Sequence, residues 1–225
     1  MAQPVNLSSA TIGVIGGTGP QGRGLVYRWA RAGLRVVIGS RQATRAQAAA
    51  AELAALPGVA GVSGAENADC AAAADLVLVA VPWEGHGDTV AALRPQLAGK
   101  IVIDCVNPMG FDKQGPYPLR VPEGSAAEQA AALLPDSVVT AAFHHVSAVL
   151  LADPALDKVD TDVLVLGDDR AAVGVVIELA GAVPGIRGIY GGRLRNSGQI
   201  EALTANLIAI NRRYSAHAGI RITDV

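Results

Sequence analysis

The sequence predicts an α/β protein with a doubly wound, mostly parallel sheet and a small C-terminal α+β extension. Runs rich in valine and isoleucine alternate with alanine-rich segments of helical length, as in sheets covered by helices on both faces. A glycine-rich turn, GTGPQG at residues 17–22, directly follows the first apolar run. In Rossmann-type folds such a turn joins the first strand to a helix. We therefore expect a Rossmann domain over residues 1–145 and a small second domain over residues 146–225.

The first elements have clear boundaries. Thr11–Ile15 is an apolar strand, and a helix over residues 20–32 follows the glycine turn. Its proline is tolerated because an N–H group in the first turn has no helical partner. Gly33 supplies a left-handed residue that ends this helix. The second strand covers residues 35–39, and an alanine-rich helix over residues 43–56 ends before a Pro-Gly pair.

The next elements complete the pattern of strand, helix and strand. We predict a short third strand over residues 59–62 and a helix over residues 65–74. The run at 75–81, DLVLVAV, is continuously apolar, as expected of a strand buried on both faces. The sequence PWE then leads into a helix that reaches residue 97, and a fifth strand covers residues 100–106.

The rest of the chain has a different rhythm. Residues 107–124 form a long loop rich in glycine and proline, and loops of this length are more often functional than accidental. A sixth strand is predicted at 138–142, further strands at 162–166 and 186–190, and helices from 168 onward and over 195–216. The last helix has apolar residues at helical spacing, which favours a homodimer: Ile200, Leu203, Leu207 and Ile210.

Composition limits the possible classes of protein. The formal net charge is −2, with no basic cluster, which argues against nucleic acid as a partner. No uncharged apolar window of about 18 residues predicts a membrane span, and residues 1–6 lack the features of a signal peptide. Cys70 and Cys105 fall in a predicted helix and strand, so a disulfide framework is not expected. We expect a soluble, cytoplasmic protein that binds only small molecules.

Three polar residues after the second strand predict the cofactor. The glycine turn presents backbone N–H groups and a helix N-terminus to a pyrophosphate. NAD enzymes place a carboxylate near the end of the second strand to bind the ribose 2′-hydroxyl. Here residues 36–41 read VVIGSR and contain no carboxylate. Ser40, Arg41 and Arg45 suit the 2′-phosphate of NADP instead, since guanidinium groups bind phosphate well.

Further candidates follow the later strands. Val81 and Asn107 come at carboxyl ends, where open α/β sheets bind ligands, and are expected at the nicotinamide. His144 and His145 follow the sixth strand. Histidine and cysteine spacing predicts no metal site, and no nucleophile–base arrangement is evident. We assign no catalytic side chain. This absence would be compatible with hydride transfer between two cofactors, which depends mainly on their positioning.

The motifs together resemble the coenzyme F420-dependent NADP oxidoreductases. The resemblance extends from about residue 11 to residue 222. It is carried by five segments: GGTGPQG at 16–22, GSR at 39–41, VPWE at 81–84, VLGDD at 165–169 and NS before EALT at 196–204. It implies an N-terminal dinucleotide domain, a small C-terminal part that shapes a deazaflavin groove, and reversible hydride transfer between NADPH and coenzyme F420.

The resemblance also assigns site residues. Pyrophosphate contacts are implied for Thr18, Gly19, Pro20 and Gln21. The 2′-phosphate is expected at Ser40, Arg41 and Arg45, and the nicotinamide end at Val81, Gly85, Asn107 and Ala148. The deazaflavin would lie near residues 144–148 and 218–220, with Ala218 among its contacts. Two departures affect the deazaflavin assignment: residues 143–147 read FHHVS without the family's proline, and Ala218 replaces a larger aliphatic residue.

Three other functions could use the same N-terminal domain. An NADPH-dependent reductase of a small imine or keto acid would add a larger helical C-terminal domain, whereas only about 80 residues follow the sixth strand here. A ferric reductase-like flavin partner would be expected to join a membrane segment. A non-catalytic NADPH-sensing module would keep the phosphate site without a productive second pocket.

Overall fold

An eight-stranded sheet with helices on both faces forms the protein. The structure is a computed structural model that describes residues 5–225, so the first four residues of the N-terminal stretch considered above lie outside it. The strands of the main sheet run in the order β10-β9-β8-β5-β4-β1-β2-β3. The ten strands of the described chain are β1 (Thr11–Ile15), β2 (Arg35–Ser40), β3 (Val62–Glu66), β4 (Leu76–Val79), β5 (Ile101–Asp104), β6 (Met109–Asp112), β7 (Gly115–Pro118), β8 (Val138–Ala141), β9 (Thr161–Gly167) and β10 (Ile186–Gly192).

Helices connect most of these strands. Residues Trp83–Gly85 and Leu194–Asn196 each form a 3-10 turn. The α-helices within residues 5–225 are α1 (Pro20–Arg31), α2 (Ala43–Ala54), α3 (Asn67–Ala73), α4 (His86–Ala92), α5 (Arg94–Leu97), α6 (Ala126–Leu133), α7 (Ala148–Ala152), α8 (Arg170–Gly181) and α9 (Ser197–Tyr214).

The sheet confirms the predicted doubly wound, mostly parallel fold. Six neighbouring strands of the sheet are mutually parallel: β3, β2, β1, β4, β5 and β8. Strand β9 then pairs with β8 in the antiparallel direction, and β10 runs parallel to β9. The strand order reverses between β1 and β4, which is the switch point where such sheets bind ligands. The C-terminal strands extend the same sheet.

Two apolar layers cover the sheet. On one face, α1, α2 and α8 bury side chains around Trp29, which is fully buried and makes an edge contact with Phe143 at 5.5 Å between ring centroids. On the other face, α3, α4 and α6 pack smaller residues against β4 and β5. The strands between these layers are apolar on both sides, as the continuous runs predicted.

Several predicted elements differ from those observed. The third strand is Val62–Glu66 rather than 59–62, because Gly61 turns with φ +69° and Val62 is the first residue to pair with β2. This shift moves the start of the next helix from residue 65 to Asn67. The helix predicted to reach residue 97 is divided at Leu93 into α4 and α5, since Pro95 cannot continue an uninterrupted helix.

Four short elements were not predicted. The loop at 107–124 contains an antiparallel hairpin of β6 and β7. Helices α6 and α7 begin after Ser125 and Ser147, whose hydroxyl groups accept hydrogen bonds from the N–H groups of Glu128 and Leu150. The pattern S-x-x-E at residues 125–128 is a capping signal visible in the sequence. Helix α6 was not predicted because its alanine-rich segment has only weak apolar periodicity.

A buried carboxylate fixes the C-terminal segment to β9. Asp162 is fully buried and accepts hydrogen bonds from Arg187, Arg221 and the N–H group of Ile222, at 2.6–2.7 Å. Hydrogen bonding to Arg187, and then to Ile222 and Arg221, outweighs burial and holds the pKa of Asp162 well below its usual range. The segment after residue 217 therefore lies against the first residues of β9, at the same sheet edge as the carboxyl ends of β1 and β4.

We expect Asp162→Asn to lower the free energy of unfolding by about 2–3 kcal/mol at pH 7, because two arginines lose their buried partner. The lowered pKa means that this stabilisation is complete above the unfolded-state pKa of about 3.9 and declines as pH falls. Urea unfolding between pH 7 and pH 2 should show the wild type and the variant converging in acid. Asp160→Asn is the matched control: Asp160 pairs with the same Arg221 at an exposed position, so its loss should cost much less than the loss of Asp162. Equal losses in the two variants would contradict this account of Asp162.

Candidate functional site

A cleft opens at the carboxyl edge of the sheet, where β1 and β4 lie side by side. The turn after β1 forms one wall, and the segment after β4 forms the other. Helix α1 begins at Pro20 and directs its N-terminus into this region; its first turn contains no acidic residue. A helix N-terminus of this kind attracts anions, because its N–H groups lack helical partners and carry partial positive charge.

Glycines allow the turn after β1 to lie tightly against the sheet. A Cβ atom at Gly22 would lie 2.8 Å from Gly17 Cα and 2.9 Å from the Gly16 carbonyl oxygen, so no larger residue fits without movement. At Gly19 the nearest atom to a Cβ would be the same Gly16 oxygen, at 3.3 Å. The backbone at Gly19 is extended (φ −79°, ψ 164°). Gly22 is therefore constrained by the protein, whereas Gly19 is left open toward the cleft.

Seven of the residues predicted from the sequence line one cavity of about 540 Å³. They come from the turns after β1, β2 and β4 and from the start of α2. They are Thr18, Gly19, Ser40, Arg41, Arg45, Val81 and Gly85. The sheet thus brings together residues that are as many as 67 positions apart in the sequence, from Thr18 to Gly85.

Two free cations lie at one end of this cavity. Arg41 and Arg45 are exposed, and neither guanidinium has a hydrogen-bond or ion-pair partner within residues 5–225. The Ser40 hydroxyl lies beside them and is 3.4 Å from the N–H group of Gln42. Paired hydrogen bonds from a guanidinium to a phosphate are strong and directional. This end of the cavity therefore suits a phosphate group.

Asn67 belongs to the same cavity and was missed in the sequence. It begins α3, after the strand that was predicted in the wrong place. Its Oδ1 atom is buried without a hydrogen-bond partner, beside Gly39. Correct placement of β3 would have put this asparagine at a carboxyl end, which is the signal that could have identified it.

A smaller cavity of about 180 Å³ adjoins the first, and the two share residues 80–82. Gln21 and Asn107, both predicted, line it together with Trp83, Cys105 and His144. The Gln21 side chain donates to the Phe143 carbonyl oxygen at 3.0 Å. Phe143 has φ +68°, a rare backbone conformation for a bulky residue. Strain of this kind often occurs where a binding site requires a sharp turn.

Hydrogen bonds fix the far wall of the smaller cavity. Asn107 Nδ2 donates to the His144 carbonyl oxygen at 2.9 Å, and Thr204 Oγ1 of α9 donates to the same oxygen at 3.1 Å. Asn107 is therefore held by the protein, with its amide nitrogen already bonded. Helix α9 closes this side of the cleft.

Both histidines after β8 are uncharged at neutral pH. Burial lowers the pKa of His144 and of His145 to about 4. Neither ring nitrogen of His144 has a hydrogen-bond partner among the described residues. His145 lies against Leu164 of β9, with its Nε2 atom 3.4 Å from that residue's backbone nitrogen. The small cavity thus has a neutral imidazole wall.

Three predicted residues do not line either cavity. Pro20 is the exposed first residue of α1. Ala148 begins α7, which packs on α1, and its carbonyl oxygen lies 3.5 Å from where a Cβ at Gly24 would be. Ala218 donates its N–H group to Asn211 Oδ1 at 2.6 Å and lies in the C-terminal segment beside β9. Both alanines are at the correct sheet edge, but outside the open cleft.

The arrangement suits a dinucleotide with an additional phosphate. The larger cavity joins a helix N-terminus to two exposed arginines, and the smaller cavity offers an uncharged pocket with both polar and apolar walls at the other end. Among the described residues, the lining of the smaller cavity includes no carboxylate, lysine or arginine, whereas the exposed Glu84 lines the larger cavity next to Gly85. Positioning of a reactive ring, rather than acid–base chemistry, is what these walls can provide.

Known proteins resemble this chain over most of its length. The family profile described as NADP oxidoreductase, coenzyme F420-dependent, matches residues 11–108. The F420-dependent NADP reductase of Methanothermobacter thermautotrophicus is 42% identical over 221 residues, covering 95% of each chain. The reductase of the same name from Methanocaldococcus jannaschii is 40% identical, covering 95% of this chain and 98% of that protein.

A solved structure has the same architecture. The crystal structure of a candidate F420-dependent NADP reductase from Arthrobacter sp. FB24 superposes with a TM-score of 0.78 and 29% sequence identity. The match covers 96% of this chain and all of that one. The similarity therefore includes the C-terminal strands and α9 as well as the dinucleotide-binding half.

Proposed function

Since this chain belongs to the family of coenzyme F420-dependent NADP oxidoreductases, we propose that the cleft between β1 and β4 is its NADP(H) site. The protein is an oxidoreductase that uses NADP(H) and coenzyme F420. The observation that carries the site assignment is the pair of free guanidinium groups, Arg41 and Arg45, in one cavity with the glycine turn.

The residues present fit NADP(H). The N-terminus of α1 receives the pyrophosphate, and Gly19 lets the backbone approach it closely. Ser40, Arg41 and Arg45 bind the 2′-phosphate. Thr18 and Gln21 lie on either side of Gly19 and Pro20, and Val81, Gly85 and Asn107 form the walls at the nicotinamide end.

The bound pair would supply the chemistry: a hydride would pass from nicotinamide C4 of NADPH to C5 of the deazaflavin, a ring nitrogen of the deazaflavin would take up a proton from water, and the reverse reaction would regenerate NADPH. The protein's contribution is to hold the two rings at the correct distance and to exclude water. The C-terminal segment at 218–220 and the residues near 144–148 lie at the same sheet edge. We place the deazaflavin against them, with Ala148 and Ala218 as its outer contacts.

Mixing the protein with NADPH and oxidised coenzyme F420 tests this function. Loss of deazaflavin absorbance at a rate proportional to enzyme concentration is expected. A small cyclic imine and a keto acid, offered as alternative acceptors, should not be reduced. Tight NADPH binding without deazaflavin turnover would overturn the function and favour a nucleotide-sensing role.

We also propose that the protein is a cytoplasmic homodimer. Exposed aromatic and apolar residues occur on the β6–β7 hairpin and on α9, which packs against it, and these support a paired surface: Phe111, Tyr117, Ile210 and Tyr214. Two buried, unpaired cysteines support a reducing compartment. No helix in the described chain is long and apolar enough to cross a membrane. Sedimentation analysis should give twice the chain mass of 22.8 kDa, and Ile210→Glu should shift the equilibrium toward monomer.

A further inference from the structure

A buried charged pair lies directly behind the smaller cavity. His86 and Asp104 are each fully buried, and His86 Nε2 is 2.7 Å from Asp104 Oδ2. His86 begins α4, immediately after the 3-10 turn that follows β4, and Asp104 ends β5. The pair therefore links the two strand ends that form the nicotinamide end of the cleft.

Hydrogen bonding determines the protonation state of His86. Gln129 Nε2 donates to a carboxylate oxygen of Glu123 at 3.3 Å, so its Oε1 atom faces His86 as an acceptor. His86 Nδ1 lies 2.9 Å from that Oε1, and Nε2 lies 2.7 Å from Asp104 Oδ2, so each ring nitrogen faces an oxygen acceptor. This geometry favours a proton on both ring nitrogens, which is the imidazolium form of His86.

The charges around His86 are consistent with this state. Burial lowers the pKa of His86, but the hydrogen bond and charge of Asp104, with smaller contributions from Gln129 and Glu201, give a net rise. Glu201 of α9 faces the same cluster and accepts the N–H groups of Ala126 and Ala127. Burial outweighs those two hydrogen bonds and raises the pKa of Glu201 to about 7.

Each member of the pair contacts one wall of the smaller cavity. The His86 ring stacks on Trp83, with 5.6 Å between ring centroids and 26° between planes. Asp104 Oδ1 accepts the N–H group of Val106 at 3.0 Å, which fixes the turn that carries Asn107. Trp83, Val106 and Asn107 all line the cavity, whereas His86 and Asp104 do not.

We propose that His86 and Asp104 are positioning residues for hydride transfer, holding Trp83 and the turn at 105–107 as two fixed walls of the nicotinamide pocket. This inference rests on the proposed placement of the nicotinamide. It extends that assignment to two buried residues that contact no cofactor. An imidazolium stacked on an indole is attracted to the ring face, so protonation of His86 strengthens its contact with Trp83.

The pair should leave a specific kinetic signature. NADPH binding depends mostly on the phosphate contacts at the opposite end of the cleft, so Asp104→Asn and His86→Gln should change the KM for NADPH by less than about 3-fold. A displaced ring can cost on the order of 10- to 100-fold in rate, and kcat should fall by about that amount. The protonated form of His86 is the form that stacks most strongly on Trp83, and its pKa is raised. Activity of the wild type should therefore decline as pH rises through the pKa of His86, and Asp104→Asn should move this decline to lower pH.

Ser125→Ala is the matched control. Ser125 is buried in the same region, caps α6 and is hydrogen bonded to Ser197, but contacts neither cavity wall. It should lower the melting temperature and leave kcat and the pH profile unchanged. If Asp104→Asn and His86→Gln behave like Ser125→Ala, with lower stability but unchanged kcat, the proposal is wrong.

Nuclear magnetic resonance of the wild type provides a test that does not depend on variants folding. The chain has four histidines, and the His86 ring should be doubly protonated at pH 7. A neutral His86 ring would overturn the proposal. A wild type that binds NADPH but does not reduce coenzyme F420 would instead refute the proposed function, so the two failures are distinguishable.

Discussion

The double substitution Arg41→Ala with Arg45→Ala should raise the KM for NADPH by about 100-fold or more and leave the KM for NADH within about 3-fold. Both guanidinium groups line the same end of the larger cavity and are free of protein partners within the described residues. A hydrogen bond to a charged group contributes about 1.5–3 kcal/mol. Two such contacts together exceed about 2.8 kcal/mol, which corresponds to 100-fold in affinity. Initial rates with each nucleotide give the comparison.

Arg35→Ala is the matched control for charge. Arg35 begins the same strand β2, but at the opposite sheet edge, and it is exposed. Its removal should affect NADPH and NADH equally and slightly. An equal loss for both nucleotides in the double variant would refute the assignment of Arg41 and Arg45 to the 2′-phosphate.

Substitution of two glycines in the turn after β1 should have different effects. Gly22→Ala should lower the free energy of unfolding by about 1–3 kcal/mol, because the new methyl group would overlap Gly17 and Gly16 in a packed turn. Gly19→Ala should change stability by less than about 1 kcal/mol, since its extended backbone suits alanine and only one atom lies near. It should nevertheless weaken NADPH binding by about 10- to 100-fold, because the methyl group occupies the path of the pyrophosphate.

Urea unfolding without nucleotide and calorimetric titration with NADPH measure the two effects separately. Gly174→Ala is a control in α8, where an added Cβ would meet no atom within 4 Å and alanine favours a helix. It should bind NADPH normally and be slightly more stable than the wild type. A Gly19→Ala variant that binds NADPH as the wild type does would place the pyrophosphate elsewhere.

The strongly apolar strands were predictable, and the reason is local. Thr11–Ile15 and Leu76–Val79 are buried on both faces, so their composition alone distinguishes them from helices. Val62–Glu66 was misplaced because it is half-exposed and contains serine, glycine and alanine, which carry little strand preference. Its position is determined by pairing with β2, a tertiary contact that the sequence does not display.

The residues proposed for the cofactor and the buried cluster differ in the same way. Ser40 and Arg41 could be proposed from the sequence because their spacing from the glycine turn is a property of one βαβ unit. His86 and Asp104 come from α4 and β5 and meet when these elements pack together, and Glu201 joins them only when α9 folds across the sheet edge. Each residue alone resembles an ordinary surface charge, so only burial and hydrogen bonding reveal the cluster.

The proposed reaction is direct hydride transfer between two bound rings. Deuterium at nicotinamide C4 follows that hydride from one ring to the other. Single turnovers with each of the two C4-deuterated stereoisomers of NADPH, in ordinary water, are followed by mass analysis of the reduced deazaflavin. Direct transfer predicts that one stereoisomer delivers its deuterium quantitatively to C5 and that the other delivers none and retains its label. Absence of deuterium at C5 with both stereoisomers would contradict direct transfer.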